Sequence, residues 1–429
     1  MSTATRTQVP VSAPPDPGAR ERLVRSDRQL SAITLLLRLP QVMAPLGVLT
    51  WVAVSASSAW AAALSSAALC LGMAVCAVGM ALFSNVRWRQ WALAGIALIQ
   101  GGVMWQLSLV DVSTVPVAWG AVSAFVPFFI AGLSLTPMGL AARLRWASVL
   151  QGQGRLEAFS SAMRRESVNE ALATVLGAAL TGLLAVVIGP SSVLKVSATL
   201  SLVTIAFFVA HRSSRYPQAN MPVHLLWRDR SPLGVPRFTT FRLRHGLLYG
   251  IGALSALLGA VQGCLAVYSV SLDSGETMGA IYALLGFGAA VGSSLAVRFR
   301  HRITASNMMV LSGTGALVAS MLLSAPSGSL GYSVVLLLVG LFSGPSLLCL
   351  HSSAGQVGVT TGFLGLVAQM SVVSSASSAV GLIVCAYLGV HRDYMSAAMG
   401  PVAAAMLLLG TALFFSYTLR RSPVRDPRI

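Results

Sequence analysis

Two glutamates, Glu166 and Glu170, are the residues of this sequence best suited to chemistry in an apolar environment. They lie four residues apart, just before the charge-free run 171–194. On a helix, carboxylates at this spacing repel each other and burial disfavours the ionised form, so both effects favour a protonated Glu170. Two interpretations follow. Glu170 is a proton-coupling residue, or it is an interfacial carboxylate paired with Arg164 or another nearby arginine.

Uncharged polar and aromatic side chains supply the remaining candidates for ligand binding. Gln41, Gln262 and Gln369 lie in strongly apolar surroundings, where each either faces a ligand or forms a hydrogen bond between helices worth on the order of 0.6 kcal/mol. Phe125 and Phe129 flank a proline in an apolar run. Their rings suit an apolar or cationic ligand, or else they anchor the helix in lipid.

The motifs expected of an enzyme are absent from the sequence. Lys195 is the only lysine and follows no glycine-rich phosphate-binding loop, and no zinc-protease motif or nucleophile elbow is present. The 5 cysteines lie in apolar runs without metal-ligand spacing. We therefore expect no enzymatic activity, no metal and no cofactor.

The elements that must position these residues are membrane-spanning helices. Of the 429 residues, 55% are hydrophobic and only 10% are charged, whereas a soluble domain is about 25% charged. A span needs about 20 apolar residues, so the charge-free blocks accommodate twelve spans. Those blocks are 39–86, 90–110, 112–142, 171–194, 196–211, 245–272, 277–297, 303–391 and 394–419.

The distribution of basic residues predicts the topology. Of the 29 Lys and Arg residues, 27 fall on one side of the predicted spans, in the tails, in alternate loops or, for Arg38, at the mouth of helix 1; the exceptions are Lys195 and Arg392. Because cytoplasmic loops carry the excess of basic residues, both termini are predicted to be cytoplasmic in a multi-pass protein of the cell membrane. The net charge of +17 is then a topology signal, which excludes a nucleic-acid partner and leaves membrane lipids as the expected contact.

A short repeat divides the chain into two halves. The segment 86–90 reads VRWRQ, and 297–301, which lies 211 positions later, reads VRFRH. Six spans per half make the repeat parallel, about an axis along the membrane normal. We predict a disordered cytoplasmic tail at 1–31, a six-helix bundle at 32–211, a basic cytoplasmic linker at 212–244, a second bundle at 245–419 and a tail at 420–429.

Twelve spans in two sextets, with arginine-rich turns in matching loops, resemble the major facilitator superfamily. In that family the loop between helices 2 and 3 carries a conserved Asp and Arg motif that latches the cytoplasmic side. Here Asn85 stands at the Asp position, and the motif is degraded. The resemblance implies a cytoplasmic gate formed by Asn85, Arg87, Arg89, Arg298 and Arg300. It also implies a cavity lined by helices 1, 4, 7 and 10, which favours Gln41 and Gln262 as lining residues.

Helix 5 is similar to that of bacterial drug-exporter-like members, of the actinobacterial type. Glu170 precedes the run 176–182, LGAALTG, which resembles an antiporter motif with Ala178 in place of its proline. The resemblance implies a proton-coupled transporter that works by alternating access. Export of a small hydrophobic or amphipathic compound is favoured by this helix 5 pattern and by the few charges in the predicted spans. We expect a monomer. Two alternatives stay open: an importer of a neutral solute on the same fold, and a transport-inactive scaffold or regulatory partner.

Overall fold

The computed structural model describes residues 17–82, 86–110, 120–153, 155, 158–215, 237–299, 302–324, 328–361 and 363–420. These residues form thirteen α-helices: α1 Pro17–Ala56, α2 Ala59–Leu82, α3 Val86–Leu107, α4 Gly120–Ser134, α5 Met138–Gly152, α6 Phe159–Val187, α7 Pro190–Ala210, α8 Arg237–Ser271, α9 Met278–Arg298, α10 Ala305–Met321, α11 Gly328–Thr361, α12 Phe363–His391 and α13 Tyr394–Arg420.

The predicted number of spans agrees with the structure. Among the described residues, 11 stretches are long and apolar enough to cross a membrane, and α3 adds the shorter apolar segment Trp91–Leu107. Helices α4 and α5 belong to one span, which is interrupted before Pro137. Proline lacks a backbone N–H and suits the start of a helix, so the interruption falls where the sequence favours it.

Three boundaries differ from the prediction. Helix α1 begins at Pro17, so 17–31 is helical, and Leu30 in this segment is only 1% exposed. An ion pair of 3.3 Å between Asp27 and Arg155 fastens this extension to the segment that follows α5. The predicted linker is also shorter, because 212–215 forms a 3₁₀ turn and α8 begins at Arg237.

The third difference concerns the charged segment after helix 4. The sequence places Arg143 and Arg145 in a cytoplasmic loop, but both lie on α5 and are buried, at 5% and 1% exposure. Because the predicted spans are charge-free blocks, the fourth span is predicted to end before Arg143. Arg143 is accommodated because an acidic partner meets it in the protein interior, as described below.

Each half repeats the same helix packing. In the first half α1 packs on α6 and α7, α2 on α4, and α3 on α7. In the second half α8 packs on α12 and α13, α9 on α11, and α10 on α13. Across the interface α2 contacts α12 and α6 contacts α9, so each half contributes its second and fifth spans. This arrangement matches the parallel repeat predicted from the sequence.

We call the side with the start of α1 and the end of α13 the terminal face, and the other side the opposite face. The two halves approach closely near the opposite face, where a Cβ on Gly182 of α6 would lie 2.3 Å from the backbone nitrogen of Ala280 on α9. Trp60 of α2 also contacts Tyr387 and His391 of α12 there, at ring separations of 5.9 and 6.4 Å. These contacts join the two halves at the opposite face.

Candidate substrate cavity

A cavity of about 200 Å³ lies between the two halves. Helices α1, α2, α5 and α6 line it from the first half, and α8, α9, α11 and α12 line it from the second. Its wall combines apolar side chains with charged and hydroxyl groups. The charged and other polar lining residues that enter the argument are Arg38, Gln41, Arg143, Glu170, Gln262, His351, Ser255, Ser371, Ser374, Ser375 and Ser378.

Ion pairs within the first half join three helices at one end of this cavity. Arg38 of α1 donates to Glu166 at 2.7 Å and to Glu170 at 2.9 Å, both on α6. Arg143 of α5 also donates to Glu170. The side chains of Arg38 and Arg143 are 4% and 6% exposed, whereas Glu170 is 35% exposed. All three line the cavity, and Glu170 is the most exposed of them.

Glu166 belongs to the same cluster but is not among the lining residues of the cavity. Its carboxylate is fully buried, and it accepts hydrogen bonds from Trp146 Nε1 and from Thr34 Oγ1, each at 2.8 Å, as well as from Arg38. Asn169 donates to the Thr34 hydroxyl at 3.3 Å. A buried carboxylate needs such donors, because charge removed from water without partners is strongly disfavoured.

Local sequence features bring the helices of the cluster together. Gly177 permits a close approach of α6 to α1, since a Cβ there would lie 3.0 Å from Val42. The start of α5 after Pro137 places Gly139 next to α1, and its backbone N–H donates to Gln41 Oε1 at 3.4 Å. One turn further along α5, Arg143 reaches Glu170.

The structure brings three of the sequence-predicted residues to the cavity. Glu170, Gln41 and Gln262 all lie in its wall. Glu170 is ion-paired, as the second interpretation expects, and its partners include Arg38 and Arg143. Because two guanidinium groups share the carboxylate, their attraction favours the ionised form of Glu170. It thus opposes burial and the nearby Glu166, which favour the protonated form.

The structure places three other candidates away from the cavity lining. Phe125 and Phe129 stack on each other on α4, with ring centroids 5.7 Å apart, and pack against the hydrophobic core. Gln369 of α12 accepts hydrogen bonds from Arg244 of α8 at 2.9 and 3.2 Å. Gln369 thus joins two helices, which is the packing role that the sequence left open.

The predicted cytoplasmic gate falls mostly outside the described part of the chain. Asn85 and Arg300 lie outside the described residues. Arg87 and Arg89 are in the first turn of α3, and their side chains lie outside the description. Arg298 is in the last turn of α9 and is exposed. The gate therefore stays a prediction.

Sequence reasoning missed several groups of the cavity wall. Arg143 was assigned to a loop, and His351 was taken as a residue near a span end, although it is 4% exposed and lines the cavity. The serines of α12 gave a usable signal, because Ser371, Ser374, Ser375 and Ser378 recur at the spacing of one helix face. Nothing comparable marked Arg143, since its role depends on where α5 meets α6.

Comparisons with known proteins show the fold. The structure resembles the crystal structure of the human organic anion transporter MFSD10 (TETRAN), with a TM-score of 0.63, 16% identity, and coverage of 91% of this chain and 99% of the other. It also resembles the nucleoside transporter NupG, with a TM-score of 0.58, 15% identity, and coverage of 92% and 98%. The chain thus has the all-helical membrane fold of the major facilitator superfamily. No protein-family model matches it, and no curated protein matches it significantly in sequence.

Proposed function

We propose that this protein is a secondary transporter that moves a small solute through the central cavity by alternating access. The observation that carries the proposal is that both halves line one cavity, which also contains exposed surface of an ion-paired carboxylate, Glu170. Two sextets that meet around a single site can expose it to either side by rocking, accompanied by shifts of helices such as α5 and α6 within a sextet. We propose that both termini are cytoplasmic, which the basic residues of the alternate loops support.

The cavity wall supports an amphipathic solute. Apolar side chains such as Val42, Leu254 and Met370 alternate with hydroxyl and amide groups such as Ser374 and Gln262. Drug-sized ligands occupy pockets of about 300–1,000 Å³. The volume of about 200 Å³ therefore favours a compact molecule. The solute, membrane lipids and protons are the proposed partners, and the protein acts as a monomer.

We propose Glu170 as the proton-coupling residue. It faces the cavity, and its ion pairs with Arg38 and Arg143 join three helices. A movement that separates Glu170 from Arg143 would remove a favourable partner from the carboxylate and so promote its protonation. Protonation would then be tied to the conformational change that carries the solute.

Proteoliposomes loaded with a pH-sensitive dye provide the test. The wild-type protein is expected to produce proton flux when a panel of compact amphipathic compounds is added, whereas protein-free liposomes are not. Glu170→Gln should abolish this flux, and Glu276→Gln, which alters an exposed carboxylate of the opposite-face loop, should preserve it. Undiminished gradient-driven transport by Glu170→Gln would remove Glu170 from the mechanism.

For direction, we propose export, and the resemblance of helix 5 to exporter-like sequences supports it. The alternative is import on the same fold. An imposed inward proton gradient distinguishes export from import, because the solute would move in opposite directions. Antiport expels the solute from the proton-poor compartment, whereas symport accumulates it there. No flux with any compound, together with stable co-purification of another membrane protein, would replace transport by the scaffold interpretation.

A further inference from the structure

We infer that the cavity is an anion site, so that the transported solute is a compact amphipathic organic anion whose acidic group binds beside Arg143 and Arg38. The inference rests on the proposed function and names the substrate class of the same cavity. It rests on two observations. The lining residues carry more positive than negative charge, and two buried arginine donors among them have no hydrogen-bond partner in the described part of the chain.

The cavity wall carries an excess of positive charge. Its charged lining residues among those described are Arg38, Arg143 and Glu170, so two guanidinium groups face one carboxylate. Glu166 is the second carboxylate of the cluster, but its side chain is 0% exposed and is held by Arg38, Trp146 and Thr34. With Glu166 included the cluster is neutral, so the positive excess is confined to the three members that line the cavity.

The same two arginines have donors to spare. Within the described part of the chain, neither Arg38 Nε nor Arg143 Nε has a hydrogen-bond partner, although both atoms are buried. Arginine presents five N–H donors in a fixed planar fork that matches the oxygens of a carboxylate or a phosphate. An acidic group with two or more oxygens would therefore complete this end of the cavity.

The opposing wall belongs to the second half of the protein and accommodates the rest of the molecule. The hydroxyls of Ser255 on α8 and Ser374 on α12 are hydrogen-bonded to each other at 2.8 Å. Ser371 and Ser378 extend this hydroxyl surface along α12. Leu254, Leu258 and Met370 add apolar surface to the lining from the same half. The wall thus fits an acid with a short apolar body and a polar group.

Glu170 opposes binding of an anionic solute. Its carboxylate competes with the solute for Arg143, because both are anions seeking the same donors. A neutral side chain at this position should strengthen binding of the anion, and loss of Arg143 should weaken it. These opposite effects from two neighbouring residues distinguish an anion site from general loosening of the cavity.

Charged thiol reagents test the site without a known solute. A cysteine is introduced by Ser371→Cys in the cavity wall of the detergent-purified protein. Its reaction rates are compared for anionic sulfonatoethyl and cationic trimethylammonium-ethyl methanethiosulfonate, with the parent protein as background because Cys70 also lines the cavity. The anionic reagent should react at least about tenfold faster, as expected for a net positive charge at a short distance in a weakly screened cavity.

Two further variants in the Ser371→Cys protein sharpen the result. Arg143→Gln should bring the two rates to near equality, and Glu170→Gln should widen their ratio beyond the parent value. A matched cysteine at exposed Ser57 on the opposite face should show no anionic preference. Equal rates at Ser371→Cys, a ratio that Arg143→Gln leaves unchanged, or no reaction with either reagent would overturn the inference.

The lipid environment separates a soluble anion from a lipid headgroup. The preference should persist in nanodiscs of phosphatidylcholine and in nanodiscs that contain phosphatidylglycerol. Its loss only in the anionic lipid would assign the site to a headgroup and overturn the solute inference. Because labelling requires no flux, failure of the transport assay and failure of the anion site remain distinguishable.

Discussion

At the scale of single residues, the cluster around Glu166 shows how this membrane protein retains charge in its interior. Glu166 is fully buried and satisfied by three donors on two other helices. Loss of one member of a buried ion pair leaves its partner uncompensated, and this typically costs about 3–5 kcal/mol. The cluster is therefore a support for α1, α5 and α6 as well as part of the cavity.

The stability of the first bundle should depend on the Glu166 charge. We expect Glu166→Gln to lower the free energy of unfolding by about 3 kcal/mol, because Arg38 would lose an ionic partner. Thr34→Val removes a single hydrogen bond to the same carboxylate and should cost about 1.5 kcal/mol. Thermal unfolding in detergent, followed by tryptophan fluorescence, compares the two. Wild-type stability of Glu166→Gln would show that the ion pair contributes nothing.

His211, just beyond the end of α7, provides a pH-dependent element at the terminal face. Burial and the nearby Arg145 and Arg212 lower the pKa of His211 from its ordinary value of 6.5. Its Nδ1 accepts from the backbone N–H of Ser213 at 3.2 Å, which requires the neutral ring. The unfolded segment binds the proton more readily, so local stability is complete above the ordinary value and falls as the pH drops through and below it.

Hydrogen exchange of the 3₁₀ turn Arg212–Arg215 checks this expectation. After correction for the intrinsic rate, protection should decrease between about pH 7.5 and about pH 5.5, the range in which histidine changes charge. His211→Asn keeps an acceptor near Nδ1 and removes the titration, so its protection should not change with pH. The same pH dependence in both proteins would exclude His211 as the cause.

At the residue scale, the sequence predicted the rare polar groups but not all of their partners. Glu170, Gln41 and Gln262 were found because polar groups are conspicuous in apolar runs. Arg143 was not, because its partner is 27 positions away and meets it only through the packing of α5 on α6. Gln369 illustrates the converse, since the same signal marked a residue that bonds Arg244 instead of lining the cavity.

At the scale of helices, span number was predictable and helix ends were not. Apolar runs reveal the spans because lipid contact imposes hydrophobicity. Helix α1, however, continues back to Pro17 through a charged segment that protein contacts stabilise. The break before Pro137 likewise follows from local chemistry, but only the structure shows that it directs α5 and Arg143 toward α6.

The α6–α9 contact should control closure of the opposite face. A Cβ on Gly182 would lie 2.3 Å from backbone of α9, and one on Gly279 would lie 2.3 Å from the Gly182 nitrogen. We therefore expect Gly182→Ala to push the two halves apart there. Spin labels at Ser57 and Glu276, exposed positions of the two halves, should report a longer distance.

Gly95 of α3 supplies the control for this experiment, because a Cβ there meets nothing within 4 Å. Gly95→Ala should leave the distance between the labels unchanged, since alanine fits and favours the helix. An unchanged distance in Gly182→Ala would mean that α6 and α9 separate without moving the labelled ends, and closure would then depend on other contacts.

At the scale of the whole molecule, the two-sextet plan was predictable from a five-residue repeat and the positions of arginines. The structure adds the way in which the sextets meet, with the second and fifth spans of each half at the interface. Pairing across the interface depends on small residues and aromatic rings distant in sequence, such as Gly182 with Gly279 and Trp60 with Tyr387. No local pattern identifies such partners.

Alternating access requires the aromatic contact at the opposite face to separate during each cycle. Trp60 and Tyr387 belong to different halves, and their rings lie 5.9 Å apart. A short bismaleimide crosslink in the variant Trp60→Cys/Tyr387→Cys should therefore stop flux in proteoliposomes while leaving solute binding from the terminal face intact. Wild-type protein treated with the same reagent controls for modification of the native cysteines, including Cys70 in the cavity lining, and should keep its flux because all five are buried. Each single-cysteine variant controls for loss of the aromatic ring. Full flux in the crosslinked protein would show that the halves do not separate at this point, and a rocking mechanism about the central cavity would have to be abandoned.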